Sequence, residues 1–146
     1  EYETAAFQYQ DIVFEGKPVT NTLMSAKMEN GASASLTFLP CGGCVVERIT
    51  VTMTGYTFFL FLPVWGGADA PGRLDCLKDG KIYKTVEGGA YTLHESNGYY
   101  DESRLFFDAL RDSGELGCDV LSGLSSVEIA QHIRERKKNY KKCDIL

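Results

Sequence analysis

Apolar and polar residues alternate along most of the first 95 residues, as they do in β-strands with one buried face. The alternation predicts eight strands, at about 5–14, 18–29, 32–39, 45–53, 56–62, 72–78, 81–86 and 90–95. Two-residue turns at Asn30-Gly31, Thr54-Gly55 and Asp79-Gly80 separate β-type runs, and Asn-Gly and Asp-Gly favour tight hairpins because both residues tolerate positive φ. Glu15-Gly16-Lys17-Pro18 predicts a further turn. The pattern therefore predicts an antiparallel meander.

Two strands of this meander carry a dense apolar face. If Thr54-Gly55 is a tight turn, Met53 pairs with Tyr56, so residues two apart on both strands share one face. That face carries Ile49, Val51, Met53, Tyr56, Phe58, Leu60 and Leu62. Phe59 and Phe61 point the other way and are also apolar. A strand that is apolar on both faces needs a cover on both sides.

The end of the chain changes to helical spacing, which predicts a helix over 126–141. Ser125 and Glu128 have the spacing of a capping box. One apolar stripe of this helix carries Ile129, Ala130, Ile133 and Tyr140. We expect Ile129 and Ile133 to pack on Phe59 and Phe61 and so to supply one of the two covers.

The remaining segments complete a mainly β fold. Residues 101–111 suit a short helix or a strand, and 115–121 suit a short strand. In the first strand the apolar phase shifts between Tyr9 and Ile12, as a bulge would produce. We therefore predict a single domain over 1–146. Its meander closes into a barrel, or forms a sandwich, of about eight strands, and the C-terminal amphipathic helix packs outside. The alternative is an α+β fold.

Charge and hydropathy narrow the partners. The net charge of −5 argues against nucleic acid as a partner. No apolar run is long enough to span a membrane. Arg134–Lys142 contains six basic residues and one acid. This basic helix end either binds a protein partner or is a solvated face attracted to the chain's own acidic body. A start at Glu1 suits a mature chain after signal-peptide cleavage, so we expect a secreted protein.

Five cysteines offer three kinds of chemistry: Cys41, Cys44, Cys76, Cys118 and Cys143. A thiol redox centre needs a helix after the C-x-x-C pair, but the residues after Cys44 are β-branched and alternate. A zinc site usually needs two knuckles, and only one is present. We therefore favour a disulfide framework in which Cys41 and Cys44 each reach a distant cysteine and one thiol is left over. Reduced cysteines in an intracellular protein are the alternative.

A meander of about eight strands, followed by a terminal helix and a late cysteine, resembles the lipocalins. The Gly-x-Trp of their first strand is absent from 5–14, so no family residue is carried over. The resemblance implies a cavity for a small apolar or amphipathic molecule, with no cofactor and no catalysis. The seven residues of the apolar face would line it, and Trp65 would close its mouth. The alternative functions are a secreted interaction module without catalysis and, less favoured, a thiol redox protein.

Overall fold

The fold, given by a computed structural model, contains two antiparallel sheets of four strands each. The structure describes residues 1–64, 67–112, 114, 120–121 and 123–142. In chain order the elements are β1 (Tyr2–Phe14), β2 (Lys17–Met28), β3 (Ser33–Phe38), β4 (Glu47–Met53), β5 (Tyr56–Leu62), β6 (Arg73–Lys78), β7 (Lys81–Glu87), α1 (Leu93–Ser96), α2 (Tyr99–Asp112), α3 (Leu124–Arg134) and β8 (Asn139–Lys141). The chain divides into two compact units. Unit 1 holds residues 1–42 and 118–146, and unit 2 holds residues 43–117.

The predicted meander is largely confirmed. Seven of the predicted strands correspond to β1 to β7. The eighth, at 90–95, is wrong, because α1 begins there. The carboxylate of Glu95 accepts a hydrogen bond from the Thr92 backbone N–H at 2.9 Å, which is half of a capping box. The mainly β fold is therefore established, whereas closure into a barrel and the single domain remain predictions.

Unit 1 is built on a long hairpin of β1 and β2, in a sheet ordered β3-β2-β1-β8. Glu15 and Gly16 at its turn have φ angles of 49° and 75°, the positive values of a type I′ turn. The predicted bulge between Tyr9 and Ile12 is wrong, since the pairing is regular from Thr4 onward. The phase shifts because Asp11 takes a place on the Tyr9 face and pairs there with Arg136.

The core of unit 1 lies between its sheet and α3. Its buried members come from β1, β2, α3 and β8: Ala5, Phe7, Met24, Ala26, Ile129 and Tyr140. Ile133 and Tyr9 pack against them from the side. The surface that receives Ile129 and Ile133 is thus formed by strands of unit 1, rather than by the Phe59 and Phe61 strand that we expected.

The predicted helix exists, but both of its ends are corrected. The capping box at Ser125 is wrong, because α3 starts at Leu124 without a side-chain cap. The Glu128 carboxylate instead accepts a hydrogen bond from the Tyr140 hydroxyl at 2.7 Å. The helix stops at Arg134 rather than 141, and Arg136 turns the chain with a φ of 53°. Tyr140 therefore lies in β8, opposite Ala5.

Unit 2 contains a sheet ordered β4-β5-β6-β7, in which each strand pairs with the next along the chain. Met53 lies opposite Tyr56, as predicted from the Thr54-Gly55 turn. The helical alternative for 101–111 is confirmed by α2. Of the predicted strand at 115–121, residues 115–119 lie outside the described residues.

Candidate ligand-binding face

The seven predicted ligand-binding residues of β4 and β5 share one face of the unit 2 sheet. Ile49 lies opposite Leu60, Val51 opposite Phe58, and Met53 opposite Tyr56. The next strands extend the same face. A register shift between Cys76 and Leu77 lets residues of β7 on either side of it share this face. Residues of β6 and β7 on this face are Leu74, Cys76, Lys78, Lys81, Tyr83, Lys84 and Val86. We call this surface the apolar face.

Much of the apolar face is open to solvent. Met53 is 58% exposed, Ile49 45% and Val51 44%. Phe58, Leu60 and Leu62 are half-buried along the central strand. Folded domains normally keep such a contiguous apolar patch only where something binds. The predicted residues therefore come together on one accessible surface, rather than inside a closed cavity.

Aromatic contacts organise the part of this face nearest the Thr54-Gly55 turn. The Tyr56 ring stacks on Phe58 with centroids 6.4 Å apart, and it meets the edge of Tyr83 at 6.3 Å. The ammonium of Lys78 lies 5.3 Å from the centre of the Tyr56 ring. Desolvation in this cluster, with the Cys76 thiol beside it, raises the pKa of Tyr83. The shift shows that the Tyr83 hydroxyl lies within this cluster.

A shallow hollow of about 280 Å³ lies between the two hairpin turns at this end of the sheet. Its walls come from both turns and the adjoining strand ends: Met53, Gly55, Tyr56, Thr57, Leu77, Asp79 and Gly80. Two predicted ligand residues, Met53 and Tyr56, thus border a concave site.

On the opposite face of this sheet, arginine side chains lie over an aromatic ring. Phe61 lies between two guanidinium groups, 4.4 Å from Arg73 and 5.5 Å from Arg48. Arg48 donates two hydrogen bonds to Asp69, at 2.7 and 2.8 Å, and this lowers the pKa of Asp69. Arg73 pairs with Asp75 at 3.0 Å. A hollow of about 270 Å³ borders these groups, but their charges are already paired.

The structure describes three of the five cysteines. Cys41 is half-buried, Cys44 is exposed and Cys76 is buried within the apolar face, and all three carry free thiols. Cys118, Cys143 and Trp65 lie outside the described residues. The disulfide framework and the role of Trp65 therefore remain predictions. Within the described part of the chain, no three His, Cys, Asp or Glu side chains are grouped as metal ligands would be.

The basic segment Arg134–Lys142 contacts acids of its own unit. Arg136 pairs with Asp11 at 2.8 Å and also lies over the Tyr9 ring. Lys142 pairs with Glu1 and Glu29, which raises the pKa of its ammonium. These contacts favour the second interpretation of the segment, as a face attracted to the chain's own acidic body.

Sequence reasoning missed the basic corner of the apolar face. Lys78 and Lys81 lie directly opposite each other, and Lys84 lies opposite Cys76. The signal was present, because the Asp79-Gly80 turn sets Lys78 against Lys81 just as Thr54-Gly55 sets Met53 against Tyr56. The alternation of apolar residues alone does not reveal this pair.

Comparison with known protein families finds none that matches the chain, and neither the curated proteins nor the solved structures yield a match. The lipocalin resemblance accordingly remains a prediction. Among the described helices, none has the length and apolar character needed to cross a membrane.

Proposed function

We propose that the protein is a non-catalytic binding protein that holds a small apolar or amphipathic ligand on the apolar face of unit 2. One observation carries the proposal. Seven side chains chosen from sequence periodicity lie on a single face, and several of them are exposed. Burying apolar area stabilises a complex by about 25 cal/mol per Å², so a ligand that covers this face gains affinity from it.

The ligand needs contact on more than one side. Small-molecule sites usually enclose most of the ligand surface, whereas one sheet face covers only half of it. The hollow beside Met53 and Tyr56 also borders Thr57 and Leu77 of the opposite face, so it lies at the edge of the apolar face. A barrel or sandwich arrangement, as the strand pattern predicts, would supply a second layer.

We further propose that the protein is extracellular and that Cys41 and Cys44, which are free thiols in this structure, are each oxidised to a disulfide with a distant cysteine. Cys41 and Cys44 are both within reach of solvent, which suits oxidation. Intact mass spectrometry of the secreted chain, alkylated before and after reduction, tests this. Two disulfides leave one thiol alkylated before reduction and five afterwards, whereas five before reduction contradicts the framework.

Binding is tested by placing a charge on the apolar face. Val51→Asp puts a carboxylate on this face in the middle of β4, while Thr50→Asp puts the same carboxylate at the neighbouring position on the opposite face. Fluorescence titration with Nile Red, a neutral apolar dye, measures the result. We expect Val51→Asp to abolish dye binding and Thr50→Asp to retain it.

Circular dichroism of both variants provides the control for folding. Both positions are solvent-exposed, so neither substitution buries a charge. Equal dye binding by the two folded variants, or no binding by the unmodified chain, would contradict the proposal.

A further inference from the structure

The charged residues of unit 2 fall into two sets. All four of its arginines pair with carboxylates: Arg48, Arg73, Arg104 and Arg111. Its three lysines are Lys78, Lys81 and Lys84, and none of them pairs with a carboxylate in the part of the chain that the structure describes. The three unpaired cations all lie on the apolar face.

The placement of these lysines is electrostatically unfavourable without a partner. Lys78 lies directly opposite Lys81, and like charges in a cross-strand pair destabilise a sheet. Lys84 adds a third positive charge one row further along the same two strands. An anion bound at this corner would relieve the repulsion, so the arrangement favours a negatively charged ligand.

The corner adjoins the apolar surface. Lys78 lies beside Tyr56, and Lys84 shares its row with Cys76 and Phe58. Neighbouring strands lie about 4.8 Å apart, so β7 is about 14 Å from β4 across the sheet. A molecule with an anionic head and an apolar tail therefore has room to place its head on the lysines and its tail towards Ile49 and Val51.

The acids near the corner leave it positive. Asp79 lies in the turn between Lys78 and Lys81, and Glu47 lies at the far end of the apolar face, opposite Leu62. Among the described residues of unit 2, the three lysines thus share this corner with one acid of the same hairpin, Asp79.

We propose that the ligand of the apolar face is an amphipathic anion, with its carboxylate or other acidic head bound by Lys78, Lys81 and Lys84. The inference rests on the proposed function, because the tail occupies the same apolar face. It adds the chemical class of the ligand and three binding residues outside the predicted set.

The test compares three probes that each have a straight chain of ten carbons and whose head groups are anionic, neutral and cationic: decanoate, decanol and decyltrimethylammonium. Displacement of Nile Red measures the affinity of each. Because an exposed ion pair contributes a factor of roughly two to five, we expect decanoate to bind at least about fivefold more tightly than decanol. Decyltrimethylammonium should bind most weakly.

A triple variant, Lys78→Gln with Lys81→Gln and Lys84→Gln, assigns the effect to the corner. Its affinity for decanoate should fall to within about twofold of its affinity for decanol, which should be unchanged. The matched control removes three exposed lysines of unit 1, at Lys17, Lys138 and Lys141, and changes the net charge equally. This control should keep the preference for decanoate.

The possible outcomes distinguish failure of the anionic-ligand inference from failure of the proposed binding function. Equal binding of decanoate and decanol, or an unchanged preference in the triple variant, overturns the anionic ligand while the binding function stands. Loss of the preference in the unit 1 control also overturns it, since net charge alone would then explain the selectivity. Failure of all three probes to displace the dye overturns the inference together with the small-ligand function.

Discussion

The two units have similar sheets but treat their apolar faces differently. In unit 1, α3 places Ile129 among Phe7, Met24 and Tyr140, and the sheet face beneath it is buried. In unit 2, α2 is also amphipathic, yet Phe107 is 66% exposed and Leu110 63%. Its sheet is likewise open at Ile49, Val51 and Met53. Equivalent local patterns therefore build a core in one unit and an accessible surface in the other.

The ion pairs of the two units also differ. In unit 1, Arg136 pairs with Asp11 in β1, and Lys142 pairs with Glu1 and Glu29, which flank the hairpin of β1 and β2. In unit 2, the arginines are paired, whereas Lys78, Lys81 and Lys84 have no carboxylate partner among the described residues, and the same is true of Lys17, Lys138 and Lys141 in unit 1. The difference is one of placement, because ion pairs in unit 1 connect segments that are distant in sequence, whereas the unpaired lysines of unit 2 share an exposed apolar face.

The largest effect is expected in the core of unit 1. Phe7→Ala removes a ring that is only 4% exposed and should reduce the free energy of unfolding of this unit by about 3–5 kcal/mol. Phe14→Ala, on the same strand at an exposed position, should cost much less. Hydrogen exchange of the β1 and β2 amides measures both. Equal losses would show that the hairpin, rather than the core, carries the stability.

A second substitution tests whether α3 covers the sheet of unit 1. Ile129→Ala should cost about 2–4 kcal/mol, because the side chain is buried against the sheet. Val127→Ala, at an exposed position of the same helix, is the matched control and should leave stability nearly unchanged. Chemical denaturation followed by circular dichroism provides the measurement. An unmoved midpoint for Ile129→Ala would mean that α3 is not an integral cover.

A smaller effect of opposite sign is expected in unit 2. Lys81→Glu replaces the like-charge pair with Lys78 by an attractive one and should stabilise the β6–β7 hairpin by a few tenths of a kcal/mol. The same change should weaken decanoate binding. Hydrogen exchange of β7 amides and dye displacement measure the two effects. A variant that binds decanoate more tightly would contradict the role of this corner.

The smallest effect is a titration in unit 1. Hydrogen bonds from Thr20 and Arg136 lower the pKa of Asp11 in the folded chain. The pair therefore contributes stability above the ordinary aspartate pKa, and this contribution is lost as the pH falls through the lowered folded value. In Arg136→Gln the Asp11 pKa should rise towards its ordinary value, as followed by carboxyl-carbon NMR. An unchanged Asp11 titration would contradict the pairing.

Local signals explain why most of the strands were predicted. Hairpins such as Met53 opposite Tyr56 depend on a nearby turn and a period of two, which one segment of sequence contains. The end of α3 at Arg134 could not be predicted from local signals. Arg136 meets Asp11, which is 125 residues away, and Tyr140 pairs with Ala5 in β8. A helical stripe in the sequence carries no information about either contact.

The candidate site shows the same limit. Its seven apolar residues followed from alternation alone, and the lysine pair was available from the Asp79-Gly80 turn. The sequence alone did not predict which segment packs on each sheet face, because this depends on contacts between segments that are distant in sequence. The wrong strand prediction at 90–95 was avoidable, because Thr92 and Glu95 have the spacing of a capping box, which indicates the start of a helix.

The most direct test of the account is a methyl NMR titration of the labelled chain with decanoate. The apolar face should report binding through Ile49, Val51, Leu60 and Leu62, whose signals should shift and saturate. The signals of Ile129 and Ile133, which pack in the core of unit 1, should stay in place. Shifts confined to Ile129 and Ile133, or no saturable shift on the apolar face, would contradict the assignment of unit 2 as the binding unit.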